Sequence, residues 1–230
     1  MYRTALDVAR KSGAQFMVGG GFCLAFFTDR WRNTKDIDFY VLPAERQKMI
    51  DALTQAGFKD YYDQKSYDRG WIYRSVQDGV IVDIIWSMAN RRAEVDPVWF
   101  DRAPVVTLRE ESFKVVPPEE LLWCKLYVFQ RDHCDWTDLL NLIYGVGPKL
   151  DWDHLLTRVG NDLQLLKGIL ELFTWVAPHR ASELPMSLRR ELQLSAPQAV
   201  DIEEEKRRAR LLDSRGWFAA YNPKDKPMEV

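Results

Sequence analysis

Three aspartates lie where strands could bring their carboxylates together. Asp36 and Asp38 are two residues apart in Asp36–Leu42, whose β-branched and aromatic residues predict a strand. Residues two apart in a strand point to the same face, so both carboxylates project together. Asp83 is the only charged residue in the otherwise apolar segment Val80–Trp86. Neighbouring carboxylates repel each other unless a cation lies between them, and a hard divalent metal ion fits that position.

Each of these aspartates also has a simpler explanation. An Asp-x-Asp pair is common in loops and at strand edges, and a lone Asp in an apolar strand is more often an ion-pair partner than a metal ligand. If the Asp83 strand lies beside the Asp36–Asp38 strand, however, the three carboxylates could hold two ions about 4 Å apart, as in in-line phosphoryl displacement.

Glycines precede the first aspartate pair. Gly19, Gly20 and Gly21 separate an apolar segment at 15–18, a predicted strand, from a predicted helix at 22–27. Glycine lets backbone N–H groups approach phosphate oxygens, and a helix N-terminus favours anions. We therefore expect a phosphate-binding turn here, although a run of glycines is more often a bare turn.

A basic loop, 29–35, connects the glycines to the aspartates. Its cations Arg30, Arg32 and Lys35 flank the expected metal site and could hold nucleotide phosphates. The alternative is a solvated basic loop without a ligand.

The composition is that of an ordinary globular protein. The 230 residues are 47% hydrophobic and carry a net charge of −2, so bulk charge does not indicate a nucleic-acid partner. The three cysteines are scattered, which suits a reducing compartment. We see no signal-peptide pattern and no apolar run of about 18 residues, and we expect a cytoplasmic protein without a membrane span.

The hydrophobic periodicity predicts an α/β first half and a helical second half. We expect a catalytic domain at 1–116, a helical domain at 117–195 that completes its cleft, and a charged helix with a mobile tail at 196–230. The predicted strands are 15–18, 36–42, 71–76 and 80–86, with one or two more in 104–116. The predicted helices are 3–12, 22–27, 43–56, 119–130, 136–144, 152–159, 162–177, a short one ending near 194, and 201–212. An Asp-Gly turn joins 71–76 to 80–86 as a hairpin.

Residues 15–42, QFMVGGGFCLAFFTDRWRNTKDIDFYVL, resemble the signature of the polymerase-β-like nucleotidyltransferase superfamily. The RNTKDID stretch is most similar to that of bacterial aminoglycoside and lincosamide nucleotidyltransferases and of AbiEii-type toxin nucleotidyltransferases. The resemblance implies a small mixed sheet, an NTP substrate and two Mg²⁺ ions held by Asp36, Asp38 and Asp83. It places Gly19 and Gly20 at the triphosphate. At Gly21 many members have Ser or Thr, so one hydroxyl contact to phosphate is missing.

Residues 117–143 resemble later motifs of the AbiEii-type group, in which a helical Lys precedes an Asp-x-x-Asp-Leu segment. The resemblance implies Lys125 near a phosphate and Asp135 or Asp138 as an acidic residue of the cleft. From the residues alone, Lys125 lies in an apolar helical stripe and either extends to solvent or reaches into a cleft. Asp138 fits equally well as an acidic residue at a helix N-terminus. We expect Lys125→Ala to weaken NTP binding with little loss of stability.

These features predict transfer of a nucleoside monophosphate from an NTP to an acceptor. RNA is the favoured acceptor, as in toxin-type relatives, because the helical half resembles that group more than the antibiotic-modifying one. Trp31 could also stack on bases beside the basic loop, and Arg207, Arg208 and Arg210 could extend the basic track. These three arginines could instead pair with Glu203–Glu205. The alternatives are a small hydroxylated acceptor, as in the antibiotic-modifying enzymes, or a non-catalytic nucleotide-binding module.

Overall fold

The computed structural model describes residues 2–31, 34, 36–108, 110–131 and 133–212. The chain divides into two compact units, one made of residues 1–24 and 32–117 and the other of residues 25–31 and 118–230. Both units are therefore discontinuous in sequence, because the short segment 25–31 groups with the helical part of the chain.

The first unit is mixed α/β. Its helices are α1 (Tyr2–Lys11), the start of α2 (Gly20–Thr28), α3 (Arg46–Gln55) and α4 (Pro97–Arg102). Its strands are β1 (Phe16–Val18), β2 (Asp36–Val41), β3 (Lys59–Asp60), β4 (Ile72–Gln77), β5 (Val80–Ile85), β6 (Val105–Leu108) and β7 (Glu111–Lys114). The predicted α/β class with a small mixed sheet is confirmed.

In the described residues, five strands form a sheet in the order β1-β2-β5-β4-β3, and β6 pairs with β7. β2 and β5 are parallel, whereas β1–β2, β4–β5 and β3–β4 are antiparallel. On one face Ile37, Phe39, Val82 and Ile84 are buried. Because side chains alternate along a strand, Asp36, Asp38 and Asp83 lie on the opposite face.

The hairpin between β4 and β5 turns at Asp78 and Gly79. Both residues have positive φ, 50° and 79°, as a tight two-residue hairpin turn requires. The turn sets the register of the hairpin, in which Gln77 pairs with Val80 and Arg74 pairs with Asp83.

The second unit is helical. It contains α5 (Pro118–Leu126), α6 (Trp136–Val146), α7 (Trp152–Val159), α8 (Leu163–Val176), α9 (Pro178–Ala181), α10 (Met186–Glu191) and α11 (Ile202–Leu212). α5 packs on α6 and α7, and α8 packs on α6 and α7. Their apolar stripes meet in a core that includes Leu122, Leu139, Leu155 and Phe173, all with no exposed surface.

Two parts of the helical prediction differ from the structure. α5 ends at Leu126 rather than at residue 130, because the chain then forms a tight hairpin in which Phe129 bridges Cys134. The helices α4 and α9 were not predicted; each is short and begins at a proline. Residues 213–230, for which we predicted a mobile tail, lie outside the described residues.

None of the helices in the described ranges is long and apolar enough to span a membrane. Within the described residues no disulfide joins the cysteines; Cys23 and Cys124 are buried and Cys134 is exposed.

Candidate active site

The three predicted carboxylates lie on neighbouring strands and share one face of the sheet. Asp38 on β2 is the direct register partner of Asp83 on β5, and Asp36 pairs with Ile81, two residues earlier on each strand. Adjacent strands are about 4.8 Å apart, so the Asp38 and Asp83 backbones are at contact distance. The Asp36 and Asp38 side chains are half-buried, while Asp83 is only 2% exposed.

Asp83 forms an ion pair with Arg74, a partner that the sequence analysis did not identify. Arg74, its partner across the β4–β5 hairpin, donates from Nε to Asp83 Oδ1 at 2.7 Å and from a terminal nitrogen to Oδ2 at 2.6 Å. Such a planar two-bond contact is the strongest ion-pair geometry available to a carboxylate. The contacts of Asp83 are therefore those of an ion-pair partner in an apolar strand, which is the simpler of its two explanations.

The electrostatics of the pair follow from its burial. Burial raises the pKa of the Asp83 carboxyl above its usual value, although the hydrogen bonds and charge of Arg74 oppose the rise. The hydrogen bond with Asp83 raises the pKa of Arg74, and the charges of Asp36 and Asp38 act in the same direction. All three carboxylates thus act electrostatically on one guanidinium.

Arg74 is itself held by the loop before β4. The hydroxyl of Tyr67 accepts a hydrogen bond from the backbone N–H of Arg74 at 3.1 Å and donates to Asp60 Oδ1 at 2.9 Å. Burial raises the pKa of Tyr67 to about 12, so the hydroxyl stays protonated at neutral pH. Counting back from the Asp78-Gly79 turn would have placed Arg74 opposite Asp83 from sequence alone, since a two-residue turn sets the pairing.

The glycine turn packs directly against the aspartate strand. The backbone N–H of Gly19 donates to the carbonyl of Asp38 at 2.9 Å. A Cβ on Gly19 would lie 2.2 Å from the ring of Tyr40, and one on Gly20 would lie 1.7 Å from Asp38 Oδ2. Gly20 also has a φ of 53°, which favours glycine. These residues must therefore lack side chains for β2 and α2 to approach each other.

The chemistry of the donor set suits a divalent cation, because carboxylate oxygens are the ligands that such ions prefer. Asp36 and Asp38 present their carboxylates on one face of β2, and Thr34 orients Asp36 by donating from its hydroxyl to Oδ1. Asp83 accepts two hydrogen bonds from Arg74, but a carboxylate has about four lone-pair positions and retains others for a cation. Within the described ranges, no three Asp, Glu, His or Cys side chains are already arranged to hold a metal ion.

The basic loop is only partly described. Arg30 is half-buried, and Trp31 is 39% exposed. Arg32 and Lys35, predicted to hold phosphates, lie outside the described residues. Gly21 lies in the first turn of α2, after the two glycines that contact β2.

In the helical unit, Lys125 is buried between two acids. Its Nζ donates to Asp135 Oδ2 at 2.7 Å and to Asp138 Oδ2 at 2.9 Å. Lys125 is 9% exposed and Asp138 is 3% exposed, so the ammonium does not extend into solvent. Burial lowers the pKa of Lys125, but the charges of Asp138 and Asp135 outweigh it and the pKa is raised. Asp138 also lies in the first turn of α6, the position of an acidic residue at a helix N-terminus.

The hairpin after α5 adds a contact to this cluster. His133 Nε2 is 3.3 Å from the second carboxylate oxygen of Asp135, and the backbone N–H of Asp135 donates to Val128. The sequence analysis did not connect His133 with Asp135, because the spacing suggests no motif. Lys125, Asp135 and Asp138 are nevertheless one connected group of ion pairs.

Comparison with known proteins identifies the family and the fold of the chain. A family model described as uncharacterised nucleotidyltransferase matches residues 29–180, well over half of the 230-residue chain. Among solved structures, the antibiotic-resistance factor ANT(2'')-Ia has a TM-score of 0.51 at 13% identity, over 73% of this chain and 93% of that one. This likeness shows a shared fold.

Two further structures are less similar. The lincomycin-bound lincosamide antibiotic adenylyltransferase LnuA has a TM-score of 0.45 at 18% identity, over 61% of this chain and 93% of that one. JHP933 from Helicobacter pylori has a TM-score of 0.41 at 13% identity, over 92% of this chain and 90% of that one. No curated protein matches the chain.

The matched region begins in the loop before Asp36, includes Asp38 and Asp83, and continues through Lys125 to Arg180 in the helical unit. It therefore contains both groups of charged residues described above. The chain belongs to this nucleotidyltransferase family, and it is a nucleotidyltransferase enzyme.

Proposed function

We propose that the protein transfers a nucleoside monophosphate from an NTP to an acceptor, with Mg²⁺ held by Asp36, Asp38 and Asp83, and releases pyrophosphate. The observation that supports this most directly is the placement of the three carboxylates. Asp36 and Asp38 share a face of β2, and Asp38 lies opposite Asp83 in the parallel pairing. Such a concentration of negative charge is stabilised by divalent cations.

Two ions fit the proposed reaction. When bound, they would activate the acceptor oxygen and neutralise charge on the departing pyrophosphate. The protein's own contribution is positioning: the strand register holds Asp38 beside Asp83, and Thr34 orients Asp36. No side chain forms a covalent bond with the nucleotide in this proposal.

The triphosphate would bind at the glycine turn. Gly19 and Gly20 bring their backbone against Asp38. α2 begins at Gly20 and continues through Gly21, and the N-terminus of a helix favours phosphate oxygens. We propose that Arg30, Arg32 and Lys35 add positive charge to this region. We further propose that Lys125, with Asp135 and Asp138, contacts the nucleotide.

RNA remains our first candidate for the acceptor. Trp31 is a large exposed aromatic next to Arg30, a combination that suits stacking on bases beside a phosphate backbone. The proposed extension by the C-terminal arginines loses support, since Arg207 and Arg208 both pair with Glu204, at 2.9 and 3.0 Å. Arg207 and Arg208 therefore fit the alternative, in which the arginines of α11 pair with acidic residues of the same helix.

A small hydroxylated molecule is the second candidate. The observation that favours it is the fold likeness to the antibiotic-resistance factor ANT(2'')-Ia. This acceptor would require no basic track along the surface, which agrees with the net charge of −2.

One experiment separates the two acceptors. The pure protein is incubated with Mg²⁺ and each labelled NTP, together with either total cellular RNA or a panel of small hydroxylated compounds. Labelled RNA, with binding that weakens steeply between about 50 and 200 mM salt, supports the first candidate, because phosphate contacts release counterions. A labelled small molecule without labelled RNA supports the second. No labelled product and no NTP binding would contradict the proposed function.

A further inference from the structure

Arg74 has no role in the metal site or the nucleotide site proposed above. Its side chain is 32% exposed, whereas the carboxylate it binds is 2% exposed. Arg74 and Asp83 are register partners in an antiparallel pair, so they lie on the face that also carries Asp36 and Asp38. The guanidinium therefore lies at the edge of the carboxylate group, bound to its most buried member.

A lone buried carboxylate is unstable in the folded protein. Removing water from an ionised group is costly unless an opposite charge and hydrogen bonds replace the water. In the described structure, the only cationic side chain bonded to Asp83 is Arg74, through both carboxylate oxygens. Arg74 thus supplies the positive charge that a bound metal ion would supply at the same carboxylate.

We propose that Arg74 is a positioning residue that holds Asp83 in place before metal binds and competes with the divalent cation for that carboxylate. The proposal rests on the function proposed above, in which Asp83 is a metal ligand. Two cations that neutralise one carboxylate weaken each other's binding, and such coupling is reciprocal. Arg74 therefore keeps the metal-free site folded and lowers the affinity of the site for metal.

Two consequences distinguish this role from an ordinary structural ion pair. Without metal, Arg74→Gln leaves Asp83 buried and uncompensated, so the melting temperature falls. With Mg²⁺, the ion replaces the missing charge, so the melting temperature recovers and metal binds more tightly than in the unchanged protein. A purely structural ion pair would give the fall without the metal-dependent recovery.

The experiment measures melting temperature in EDTA and in Mg²⁺, and the Mn²⁺ dissociation constant by calorimetry without nucleotide. We expect Arg74→Gln to melt lower in EDTA, to regain most of that loss in Mg²⁺, and to bind Mn²⁺ about tenfold more tightly, within the usual range of coupling between sites. Equal or weaker Mn²⁺ binding, or no recovery in Mg²⁺, would overturn the proposal.

Arg10→Gln is the matched control. Arg10 also pairs with a carboxylate, Glu111 Oε2 at 2.6 Å, its side chain is 37% exposed, and Glu111 is not among the proposed ligands. Its removal should change neither the metal affinity nor the difference in melting temperature between EDTA and Mg²⁺. A metal-dependent recovery in this control as well would mean that Mg²⁺ stabilises the unit generally, and would overturn the specific role of Arg74.

A second variant decides the question if Arg74→Gln does not fold even with Mg²⁺. Lysine keeps the charge but lacks the planar two-bond contact, so Arg74→Lys should still bind Mn²⁺ more tightly than the unchanged protein, by a smaller factor. Unchanged or weaker binding overturns the proposal. Failure of the proposed function is distinguishable, since then the unchanged protein itself would bind no divalent metal.

Discussion

Asp38 and Asp83 face each other across the parallel strands β2 and β5, and Arg74 binds Asp83 from the opposite side on β4. The buried carboxylate therefore has an acid on one neighbouring strand and a base on the other. Under the proposed function, metal binding and nucleotide binding both depend on this arrangement, and single substitutions test each of them against the stability of the first unit.

Asp38→Asn should abolish metal-dependent NTP binding and leave the fold intact. The substitution removes one negative charge between Asp36 and Asp83, and the amide is a much weaker ligand for a hard divalent ion. We expect the free energy of unfolding to change by no more than about 1 kcal/mol, as for most substitutions of partly exposed side chains. Calorimetry with a non-hydrolysable NTP and Mg²⁺ measures the binding.

Asp51→Asn is the control for that variant. Asp51 is an exposed aspartate on α3 that accepts a hydrogen bond from Gln47 at 2.8 Å. It should bind NTP normally. Unchanged NTP binding by Asp38→Asn would show that the metal site is placed wrongly.

Gly20→Ala should displace the Asp38 carboxylate. The new Cβ would lie 1.7 Å from Asp38 Oδ2, so Asp38 or the glycine turn must move. Activity should fall by at least about tenfold, given the sensitivity of catalysis to small misplacements. The left-handed backbone adds a stability cost of about 1–2 kcal/mol. Steady-state kinetics and urea denaturation measure the two effects.

Gly13→Ala separates the collision from the backbone cost. Gly13 also has a positive φ, 72° against the 53° of Gly20, but a Cβ there would meet nothing within 4 Å. This control should lose a similar 1–2 kcal/mol of stability, approximately, and keep full activity. Equal activity in both variants would contradict a role for the Gly20–Asp38 contact.

Lys125→Met should destabilise the helical unit, contrary to the small loss expected from sequence. It leaves Asp135 and the buried Asp138 without their shared cation, and breaking a buried ion pair from one side costs about 3–5 kcal/mol. Urea denaturation measures the loss. The double variant Lys125→Met with Asp138→Asn should recover part of it, whereas Lys149→Met, at an exposed lysine, should lose almost nothing. A loss in Lys125→Met no larger than in Lys149→Met would contradict the pairing.

The contribution of Lys125 should also disappear at high pH. The pKa of Lys125 is raised above 10.5 in the folded protein, so the folded state keeps a proton that the unfolded state loses near 10.5. Stability from this group is therefore complete below pH 10.5 and falls as pH rises through the folded value. The difference in unfolding free energy between the unchanged protein and Lys125→Met should shrink above pH 10.5. A constant difference would contradict the raised pKa.

Local sequence patterns were sufficient for most elements. The alternation in β2 placed Asp36 and Asp38 on one face, and the Asp-Gly pair predicted the β4–β5 turn, because both depend on residues close in sequence. The apolar stripes of α6, α7 and α8 were likewise clear, since each helix buries one continuous face. The short helices α4 and α9 escaped detection because a single helical turn has no measurable periodicity.

The long-range pairings required the tertiary structure. That β2 lies parallel to β5, and so places Asp38 opposite Asp83, depends on which strands become neighbours, and no local pattern encodes that choice. The burial of Lys125 between Asp135 and Asp138 depends in the same way on the packing of α5 against α6. The sequence alone therefore determined which residues carry charge and which face of each element they occupy. Only the tertiary structure decided which charges meet, because the pairing of distant segments results from packing of the whole core rather than from local backbone preference.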